Sequence, residues 1–296
     1  MIVLLGASGY VGSRFQVHLN RQGVDYAPVS RADINIFDHV ELSKVISDLS
    51  ADFLINSAGF TGKPNVDACE DDKSACLMGN AVLPGVVAKA CKDIGIPFGH
   101  VSSGCLYSGR RQDGGGFTEE DSPNFSFRQN NCSFYSGTKA LGEEVLSHAD
   151  RCYIWRLRMP FHSGPHHRNY LHKLMTYERL LEAENSLSEL DEFVNACIDS
   201  YRREIPFGTY NLTNPGSVLT NDVTRLIEES GLVSKKFLFF RSEQEFMRVA
   251  AKAPRSNCVL DSSKAIAAGL QLSPVEDAIR NCLANWQSSE CKAGLG

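Results

Sequence analysis

Short apolar runs alternate with helical patterns along the first half of the chain. Uninterrupted apolar runs predict buried strands, and apolar residues three or four apart predict the helices between them. The predicted strands are Ile2–Leu5, Tyr26–Val29, Asp52–Ile55, Phe98–Ser102 and Cys152–Leu157, and the predicted helices are Tyr10–Arg21, Val40–Leu49, Cys76–Asp93 with a break at Pro84, and Tyr135–His148. Strands that alternate with helices indicate an α/β fold with a parallel sheet.

The pattern changes after Pro160. The second half contains two strand candidates, Thr209–Leu212 and Phe237–Phe240, among helices near 169–183, 188–202, 220–230 and 274–287. We therefore expect residues 1–160 to form the main domain, and residues 161–290 to form a smaller C-terminal substrate-binding domain that returns some segments to the sheet. Residues 291–296 are expected to be a disordered tail.

Residues 105–132 differ from the rest of the first half. They are rich in glycine, asparagine, serine and charged residues, including the run RRQDGGG at 110–116. A connection of this length inside a compact domain is unusual and indicates function. The segment is therefore predicted to be a lid or a binding loop.

Composition narrows the class of protein. The hydrophobic fraction of 43% is ordinary for a globular chain of 296 residues, and the net charge of −5 argues against nucleic acid or an anionic membrane as partner. The sequence contains no stretch of about 18 or more apolar residues, so we expect no membrane-spanning helix. The first residues, MIVLLGASGYVG, suggest a strand and a turn, not a signal peptide. Ten scattered cysteines without C-x-x-C spacing suggest reduced thiols, no metal site and a cytoplasmic location.

A glycine-rich turn follows the first strand and opens the first helix. In the sequence Gly6-Ala7-Ser8-Gly9-Tyr10-Val11-Gly12, the three glycines permit a tight turn, close approach to a pyrophosphate and close packing of helix on strand. The N-terminus of the helix presents free N–H groups to the phosphates. The context predicts a Rossmann-type, doubly wound sheet that binds a dinucleotide through Gly6, Ser8, Gly9, Tyr10, Val11 and Gly12. The alternative is a structural glycine turn.

The end of the second strand bears on the choice of dinucleotide. Ser30 and Arg31 stand where a carboxylate would hold the ribose of NAD, and a guanidinium favours a 2′-phosphate instead. We therefore expect NADP(H), with Arg31 as the phosphate ligand unless it is a solvated surface residue. Asp33 and Ile34 follow closely and are expected near the adenine, or in a turn before the next helix.

A Tyr-x-x-x-Lys motif provides candidate chemistry. Tyr135 and Lys139 are four residues apart and share one face of a helix. A ketone that accepts hydride needs a proton on its oxygen, and an ammonium beside a phenol is expected to bring the phenol pKa nearer neutrality. Ser103, at the end of the fourth strand, is expected to share the carbonyl oxygen with Tyr135. Alone, the motif is equally consistent with an exposed helical pair.

The motifs together resemble those of the extended short-chain dehydrogenases/reductases. Within that class the chain resembles dTDP-4-keto-rhamnose reductases and, most closely, nucleotide-rhamnose synthase/epimerase-reductases. Further blocks that carry the resemblance are 56–67, Gly104-Cys105, 119–125, 133–136, Arg156-Leu157-Arg158-Met159-Pro160, Arg168-Asn169-Tyr170, 210–216 and 253–257.

The resemblance implies NADPH reduction at C4 of a nucleotide-linked 4-keto-6-deoxyhexose, with epimerisation at C3 and C5, on a UDP or dTDP sugar. It places the epimerase pair on Cys105 and Lys173, with His166, His167 and His172 as rival acids. It implies cofactor contacts at Ser57, Ala58 and Gly59, and substrate contacts at Lys63, Asn65, Cys105, Asn169 and Arg255.

Two other interpretations remain open. In the first, the protein is a plain 4-keto reductase, and Cys105 is a buried structural residue. The second is a non-catalytic regulatory subunit on the same fold, against which the intact Ser103, Tyr135 and Lys139 set argues. A helix-paired homodimer would be usual for this class.

Overall fold

The computed structural model describes residues 1–63 and 65–287, so the predicted tail 291–296 lies outside the described residues. The strands are β1 (Ile2–Leu5), β2 (Tyr26–Val29), β3 (Phe53–Asn56), β4 (Phe98–Ser103), β5 (Cys152–Leu157), β6 (Pro160–Phe161), β7 (Arg179–Leu180), β8 (Glu184–Asn185), β9 (Ser188–Glu189), β10 (Gly208–Asn211), β11 (Val218–Leu219) and β12 (Leu238–Phe239).

The helices are α1 (Tyr10–Arg21), α2 (His39–Asp48), α3 (Ala68–Asp71), α4 (Lys73–Leu77), α5 (Leu83–Ile94), α6 (Phe134–Val145), α7 (Tyr170–Thr176), α8 (Leu190–Arg202), α9 (Thr220–Ser230), α10 (Glu243–Ala250), α11 (Ser263–Ala267) and α12 (Val275–Ala284). A π turn, Met78–Val82, joins α4 to α5, and a 3₁₀ turn, Gly104–Leu106, follows β4.

Six parallel strands form the central sheet in the order β10-β5-β4-β3-β1-β2. Alternate residues of β1 enter different hydrophobic clusters. Ile2 and Leu4 pack with α1 and α8, whereas Val3 and Leu5 pack with α2 and α5. Helices therefore cover both faces, and the predicted doubly wound parallel sheet is confirmed.

The strand order reverses between β1 and β3, and this positions the site. In open α/β sheets, ligands bind in the crevice at the carboxyl ends of the strands where the order reverses. The glycine turn follows β1 at this edge, and residues 56–59 follow β3. The fold alone thus brings these two segments together.

The later part of the chain has its own apolar cluster, in which side chains of α7, α9 and α12 pack around Phe161 and Leu187. One later strand, β10, returns to the main sheet beside β5. The division into a domain of residues 1–160 and a domain of residues 161–290 stays a prediction.

Some predicted elements differ from the structure. The helix expected at 169–183 ends at Thr176, because Arg179 and Leu180 instead pair with β12. Pro84 lies in the first turn of α5, and the predicted break takes the form of the preceding π turn. Helix α10 was not predicted, and none of its residues is buried in the core.

The segment 105–132 is anchored and does not form a free lid. Gly109 N–H donates to Asn257 O at 2.6 Å, and Phe117 N–H donates to Val259 O at 2.8 Å. These bonds belong to two parallel bridges between 109–117 and 258–260. Backbone pairing therefore argues against a free lid at 109–117, while the binding-loop alternative stays a prediction.

One helical stretch has the length and composition of a membrane span, although none was expected. The helical stretch Lys73–Ile94 is long and apolar enough, with a mean hydropathy of 1.3 over its most apolar window. However, 44% of that window is buried inside the protein, and α5 packs its Val87, Ala90 and Cys91 against the sheet. Such a helix in the core of a protein passes the same test, so this is weak evidence for a membrane span.

Candidate active site

The glycine turn has the geometry that a dinucleotide phosphate site needs. Gly6 has a φ of +78°, and a Cβ on it would lie 2.5 Å from Ala58 N. A Cβ on Gly12 would collide with the carbonyl of Gly6. Helix α1 has no side-chain cap and no acidic residue in its first turn. Its N–H groups and positive dipole end therefore suit a pyrophosphate, and the predicted residues Ser8, Gly9, Tyr10 and Val11 form this turn.

The end of β2 differs from the prediction in one respect. Asp33 folds back, and its carboxylate accepts hydrogen bonds from Ser30 N and Ser30 Oγ, each at 2.8 Å. These bonds hold the pKa of Asp33 below its usual range. The expectation that no acidic group lies at the tip is therefore wrong. Arg31 is exposed beside it, and Ile34 is half-buried.

Residues that follow β3 form the other wall of the crevice. Ser57 Oγ donates to Leu5 O at 2.6 Å, and Ala58 N–H donates to Asn56 Oδ1 at 3.1 Å. Gly59 is exposed next to them. The Ser57 hydroxyl thus links the end of β3 to β1. The backbone of this segment, and not the Ser57 hydroxyl, is therefore available to a ligand.

Three predicted catalytic residues come together beyond this crevice. Ser103 ends β4, while Tyr135 and Lys139 lie in the first turns of α6, which Ser133 caps by accepting from Ser136 N at 3.2 Å. The Ser103 hydroxyl lies close enough to the phenol to oppose part of the rise in the Tyr135 pKa. The predicted juxtaposition of hydroxyl and phenol is therefore present.

The predicted effect of Lys139 on Tyr135 is not present. Burial, followed by the nearby Cys105, raises the pKa of Tyr135 above its ordinary value. Lys139 Nζ instead donates to Val101 O at 3.0 Å, so the ammonium is directed into the sheet. Burial also lowers the pKa of Lys139 to about 8. Tyr135 is thus a protonated phenol, as a proton donor to a carbonyl must be.

A buried polar relay behind Lys139 was missed from the sequence. Lys139 Nζ lies 3.5 Å from His100 Nε2, and His100 Nδ1 lies 3.1 Å from Asn56 Nδ2. His100 is 1% exposed on β4, and burial lowers its pKa well below the usual value. The only signal was a histidine between Gly99 and Val101 in a buried strand.

A cavity of about 390 Å³ opens beside Tyr135. Its wall carries the polar side chains of Asn65, Cys105, Tyr135, Arg158, Lys173 and Arg255. The far end is aromatic, with Tyr177, Phe240 and Phe246, and α10 supplies Phe246 and Ala250. The cavity thus joins a reactive polar end to an aromatic end.

Cys105 lies at the polar end with an unpredicted partner. Arg158 Nη1 donates to Cys105 Sγ at 3.0 Å. Arg158 is 3% exposed and was noted in the sequence only as part of a family block. Cys105 is half-buried, and its N–H donates to Ser103 Oγ at 3.2 Å. The thiol is therefore beside the predicted carbonyl-binding hydroxyl and beside a buried cation.

Lys173 and Arg255 line the same cavity from other elements. Burial, with help from Arg168 and Arg255, lowers the pKa of Lys173. Arg255 forms a bidentate ion pair with Asp67, at 2.6 and 2.7 Å. The guanidinium predicted to clamp a diphosphate is thus already paired, although it still reaches the cavity wall.

The remaining predicted substrate residues have different positions. Asn65 lines the cavity, and its Oδ1 accepts from Asp67 N at 2.8 Å. Lys63 is exposed and is not among the residues that line the cavity. Asn169 is fully buried, caps α7, and donates to His162 O and Gly164 O at 2.7 and 2.6 Å. Asn169 as a substrate ligand is therefore wrong, since its amide is used by the loop.

The rival histidine acids do not join Cys105. His166 stacks on Tyr10 with ring centroids 4.3 Å apart, over the first turn of α1. Burial lowers the pKa of His166 to about 4, and the pKa of His167 is lowered as well. Neutral imidazoles are poor proton donors, and none of His166, His167 and His172 lines the cavity.

This sheet, with its crevice leading to a tyrosine–lysine helix, is the architecture of the short-chain dehydrogenase/reductase class of oxidoreductases. The profile described as RmlD substrate binding domain matches residues 1–288, and the chain belongs to that family. The family resemblance stated from the sequence is therefore confirmed.

Two relatives from Arabidopsis thaliana are 32% identical over 267 residues, or 88% of this chain. One is named a bifunctional dTDP-4-dehydrorhamnose 3,5-epimerase/dTDP-4-dehydrorhamnose reductase, and the chain covers 85% of it. The other is named a trifunctional UDP-glucose 4,6-dehydratase/UDP-4-keto-6-deoxy-D-glucose 3,5-epimerase/UDP-4-keto-L-rhamnose-reductase, of which the chain spans 38%.

Solved structures show the same fold. The L780 UDP-rhamnose synthase of Acanthamoeba polyphaga mimivirus superimposes with a TM-score of 0.88 at 25% identity, covering 96% of this chain and 98% of that one. A dTDP-4-dehydrorhamnose reductase from Bacillus anthracis, in complex with NADP, gives 0.79 at 20% identity over 95% and 97%.

Proposed function

We propose that this protein reduces the 4-keto group of a nucleotide-linked 4-keto-6-deoxyhexose with NADPH, and epimerises C3, C5 or both. The observation that carries the proposal is the meeting of Tyr135, Cys105 and Lys173 at one cavity, with the Ser103 hydroxyl beside both Tyr135 and the backbone of Cys105. The names of the relatives of comparable length support both activities.

The reduction uses the phenol as acid. The substrate carbonyl oxygen accepts hydrogen bonds from Ser103 Oγ and the Tyr135 phenol, which stabilise the developing negative charge. Tyr135 then gives its proton to that oxygen. Lys139, four residues along the same helix, returns a proton toward the phenol.

NADPH fits the crevice between β1 and β3. Gly6, Gly9 and Gly12 would hold its pyrophosphate, and Arg31 its 2′-phosphate, with the adenine near Ile34. When bound, the cofactor supplies the hydride for C4. The fit rests on the uncapped N-terminus of α1 and on the glycine positions, where any Cβ at Gly6 or Gly12 would collide with backbone.

Epimerisation uses the same polarised ketone. A proton on carbon next to a carbonyl becomes acidic when the oxygen is hydrogen-bonded. Cys105 removes that proton, and Lys173 delivers one to the opposite face of the same carbon. The lowered pKa of Lys173 means that its ammonium gives up a proton more readily than an exposed lysine does.

The nucleotide part of the substrate suits the aromatic end of the cavity. Tyr177, Phe240 and Phe246 offer flat apolar surfaces for a uracil or thymine base. Arg179 stacks over Phe240, with its guanidinium carbon 4.3 Å from the ring centroid. Arg179 and Arg255 are paired with Glu245 and Asp67, and they would offer their remaining N–H groups to the diphosphate. Together, these features support a UDP or dTDP sugar.

A cytoplasmic homodimer completes the proposal. The nine cysteines within the described residues are all free thiols, as expected in a reducing compartment. Val82 and Val145 are 38% and 46% exposed on neighbouring helical surfaces, which suits pairing with a second copy. Light scattering of the purified protein would show the dimer mass if the pairing occurs.

A panel of 4-keto-6-deoxy sugar nucleotides with NADPH in deuterated water tests the proposal. We expect NADPH oxidation, and deuterium at C3 or C5 of the product by NMR. Cys105→Ala should still reduce an already epimerised substrate but should lose the deuterium exchange. Exchange at the wild-type rate in Cys105→Ala would leave a plain reductase, and no NADPH oxidation with any substrate would reject the proposal.

A further inference from the structure

Two arginines near the end of β5 are buried in different ways. Arg156 and Arg158 are two residues apart and are 4% and 3% exposed. Arg156 Nη2 contacts Glu143 Oε2 at 2.6 Å, so its charge is neutralised by a carboxylate. Within residues 1–63 and 65–287, Arg158 has no such carboxylate partner. A buried cation without an anion is costly, so the surroundings of Arg158 need an explanation.

One of the hydrogen-bond partners of Arg158 is an acidic group, and the others are neutral. Its Nη2 donates to two neutral oxygens, Asn185 Oδ1 at 2.6 Å and the carbonyl of Ser256. Its Nη1 donates to Cys105 Sγ at 3.0 Å. Its Nε is buried and has no partner among the described residues. The thiol of Cys105 is therefore the one group hydrogen-bonded to this guanidinium that can become an anion.

We propose that the Arg158 guanidinium is the charge partner of the Cys105 sulfur and holds that sulfur as a thiolate. Cys105 then acts as the base of the epimerisation. This inference rests on the proposed function, because it assumes that Cys105 takes the proton. Thiolates are stabilised beside arginine, and the guanidinium is available because no carboxylate competes for it within the described chain.

The proton transfer then balances in charge. The Cys105 thiolate takes the proton from the carbon next to the ketone and becomes a thiol, and the C–H electron pair moves onto the carbonyl oxygen as an enolate. The Lys173 ammonium gives a proton to the opposite face of that carbon, and the enolate electrons form the new C–H bond. The remaining thiol and amine restore their starting forms by exchange with water.

Other titratable groups face this pair. Tyr135 from α6 carries a protonated phenol, since its pKa is raised, and Lys139 lies behind it on the same helix. Cys258 lies on the other side, where its thiol donates to Gly104 O at 3.2 Å and its pKa is raised by burial. The neighbouring phenol and thiol are thus neutral, and neither competes with Cys105 for the charge of Arg158.

The charge state of Cys105 can be measured without substrate. The ultraviolet absorbance of Cys105→Ser is subtracted from that of the wild type, and the difference should correspond to one thiolate at neutral pH. Iodoacetamide should alkylate Cys105 at the same pH. Arg158→Gln should move the pH midpoint of both signals upward toward the ordinary cysteine value of about 8.5, so that only roughly a few per cent of this thiol is ionised at neutral pH. Cys258→Ser is the matched control and should leave both profiles unchanged.

Deuterium exchange connects this charge state to the reaction. At neutral pH, exchange in Arg158→Gln should fall by at least about tenfold and recover in alkaline buffer, as expected for a thiol that ionises later. Arg158→Lys, which keeps the positive charge, should recover part of the neutral rate. A merely structural role would lower exchange equally at every pH.

The outcomes separate this inference from the proposed function. Absence of a Cys105 thiolate at neutral pH in the wild type overturns the inference, whether or not Arg158→Gln folds. An Arg158→Gln profile that superimposes on the wild type also overturns it, while loss of exchange in Cys105→Ala would keep the epimerase. Full exchange in Cys105→Ala would instead reject the epimerase role of the cysteine.

Discussion

The side-chain amide of Asn56 determines which nitrogen of the His100 ring carries the proton. Asn56 Oδ1 accepts from Ala58 N–H at 3.1 Å, and a backbone N–H can only donate, so the amide cannot be reversed. Asn56 Nδ2 therefore donates to His100 Nδ1 at 3.1 Å. The ring proton must lie on Nε2, which is directed at Lys139 Nζ at 3.5 Å. This arrangement favours the neutral amine of Lys139.

The tautomer of His100 can be observed directly. Nitrogen-15 NMR of the ring should show the Nε2–H form from neutral to mildly acidic pH, because the lowered pKa of His100 keeps the ring neutral. Asn56→Asp is the matched variant. Its carboxylate still accepts a hydrogen bond from Ala58 N–H, and it can also accept one from His100 Nδ1–H. It should switch the ring to the Nδ1–H form. An Nδ1–H ring in the wild type would contradict the hydrogen-bond assignment.

The pH dependence of reduction should reflect Lys139. The pKa of Lys139 is lowered to about 8, so its ammonium is lost as pH rises through that value. If Lys139 returns a proton toward Tyr135, kcat/KM for reduction should decline above about pH 8. In Asn56→Asp, His100 Nε2 would accept from the ammonium, and the decline should move to higher pH. A profile that stays flat into strongly alkaline buffer would exclude Lys139 from the proton path.

Removal of one hydroxyl tests the reductase chemistry. Tyr135→Phe should lower kcat for reduction by roughly 10²–10⁴-fold, the usual contribution of a general acid. NADPH binding should persist, as measured by fluorescence. Tyr201→Phe, on α8 and outside the cavity lining, serves as the control. Normal turnover by Tyr135→Phe would disprove the assignment of the acid.

Cofactor preference should depend on two charges at the end of β2. Arg31→Ala should raise the KM for NADPH more than that for NADH, because the guanidinium is the available cation for the 2′-phosphate. Asp33→Asn should do the opposite and favour NADPH further, since the Asp33 carboxylate beside Ser30 repels a phosphate. Steady-state kinetics with both cofactors measures the change. Equal effects on NADPH and NADH would show that neither side chain reads the ribose.

The buried Arg156–Glu143 pair should dominate stability near the site. Ser102 Oγ also donates to Glu143, so removing the carboxylate charge leaves a buried guanidinium uncompensated. Glu143→Gln should therefore lower the free energy of unfolding by about 3–5 kcal/mol in chemical denaturation. Glu276→Gln, in an exposed pair with Arg280, should change it by no more than about 1 kcal/mol. Similar losses for both variants would contradict this ranking.

Local patterns were sufficient for the sheet and the glycine turn. The strands β1 and β2 have the predicted bounds because each is a short apolar run that a turn follows directly. Gly12 was recognisable because its steric role lies within the turn, where a Cβ on it would meet the Gly6 carbonyl. The spacing of the motif also indicated Gly6, but its close approach to Ala58 is a distant contact that only the fold reveals.

The electrostatic partners were beyond sequence reasoning. Arg158 and Cys105 are 53 residues apart, and His100 and Lys139 are 39 apart, so only the packed fold brings each pair together. Ser30 and Asp33 are close in sequence, and a turn at Asp33 was one of two alternatives, but the hydrogen bonds from Ser30 to the Asp33 carboxylate were not predicted. Asn169 appeared as a ligand because its block matched the family, while its amide is used to close its own loop.

The two parallel bridges between 109–117 and 258–260 have a consequence for exchanging parts among relatives. The cavity wall that carries Cys105 comes from the first half of the chain, and the wall that carries Arg255 comes from near its end. Backbone pairing joins these two stretches. In a chimaera of two relatives joined near residue 160, the paired stretches would therefore come from different proteins. A graft intended to change the sugar specificity must therefore carry both stretches from the same donor.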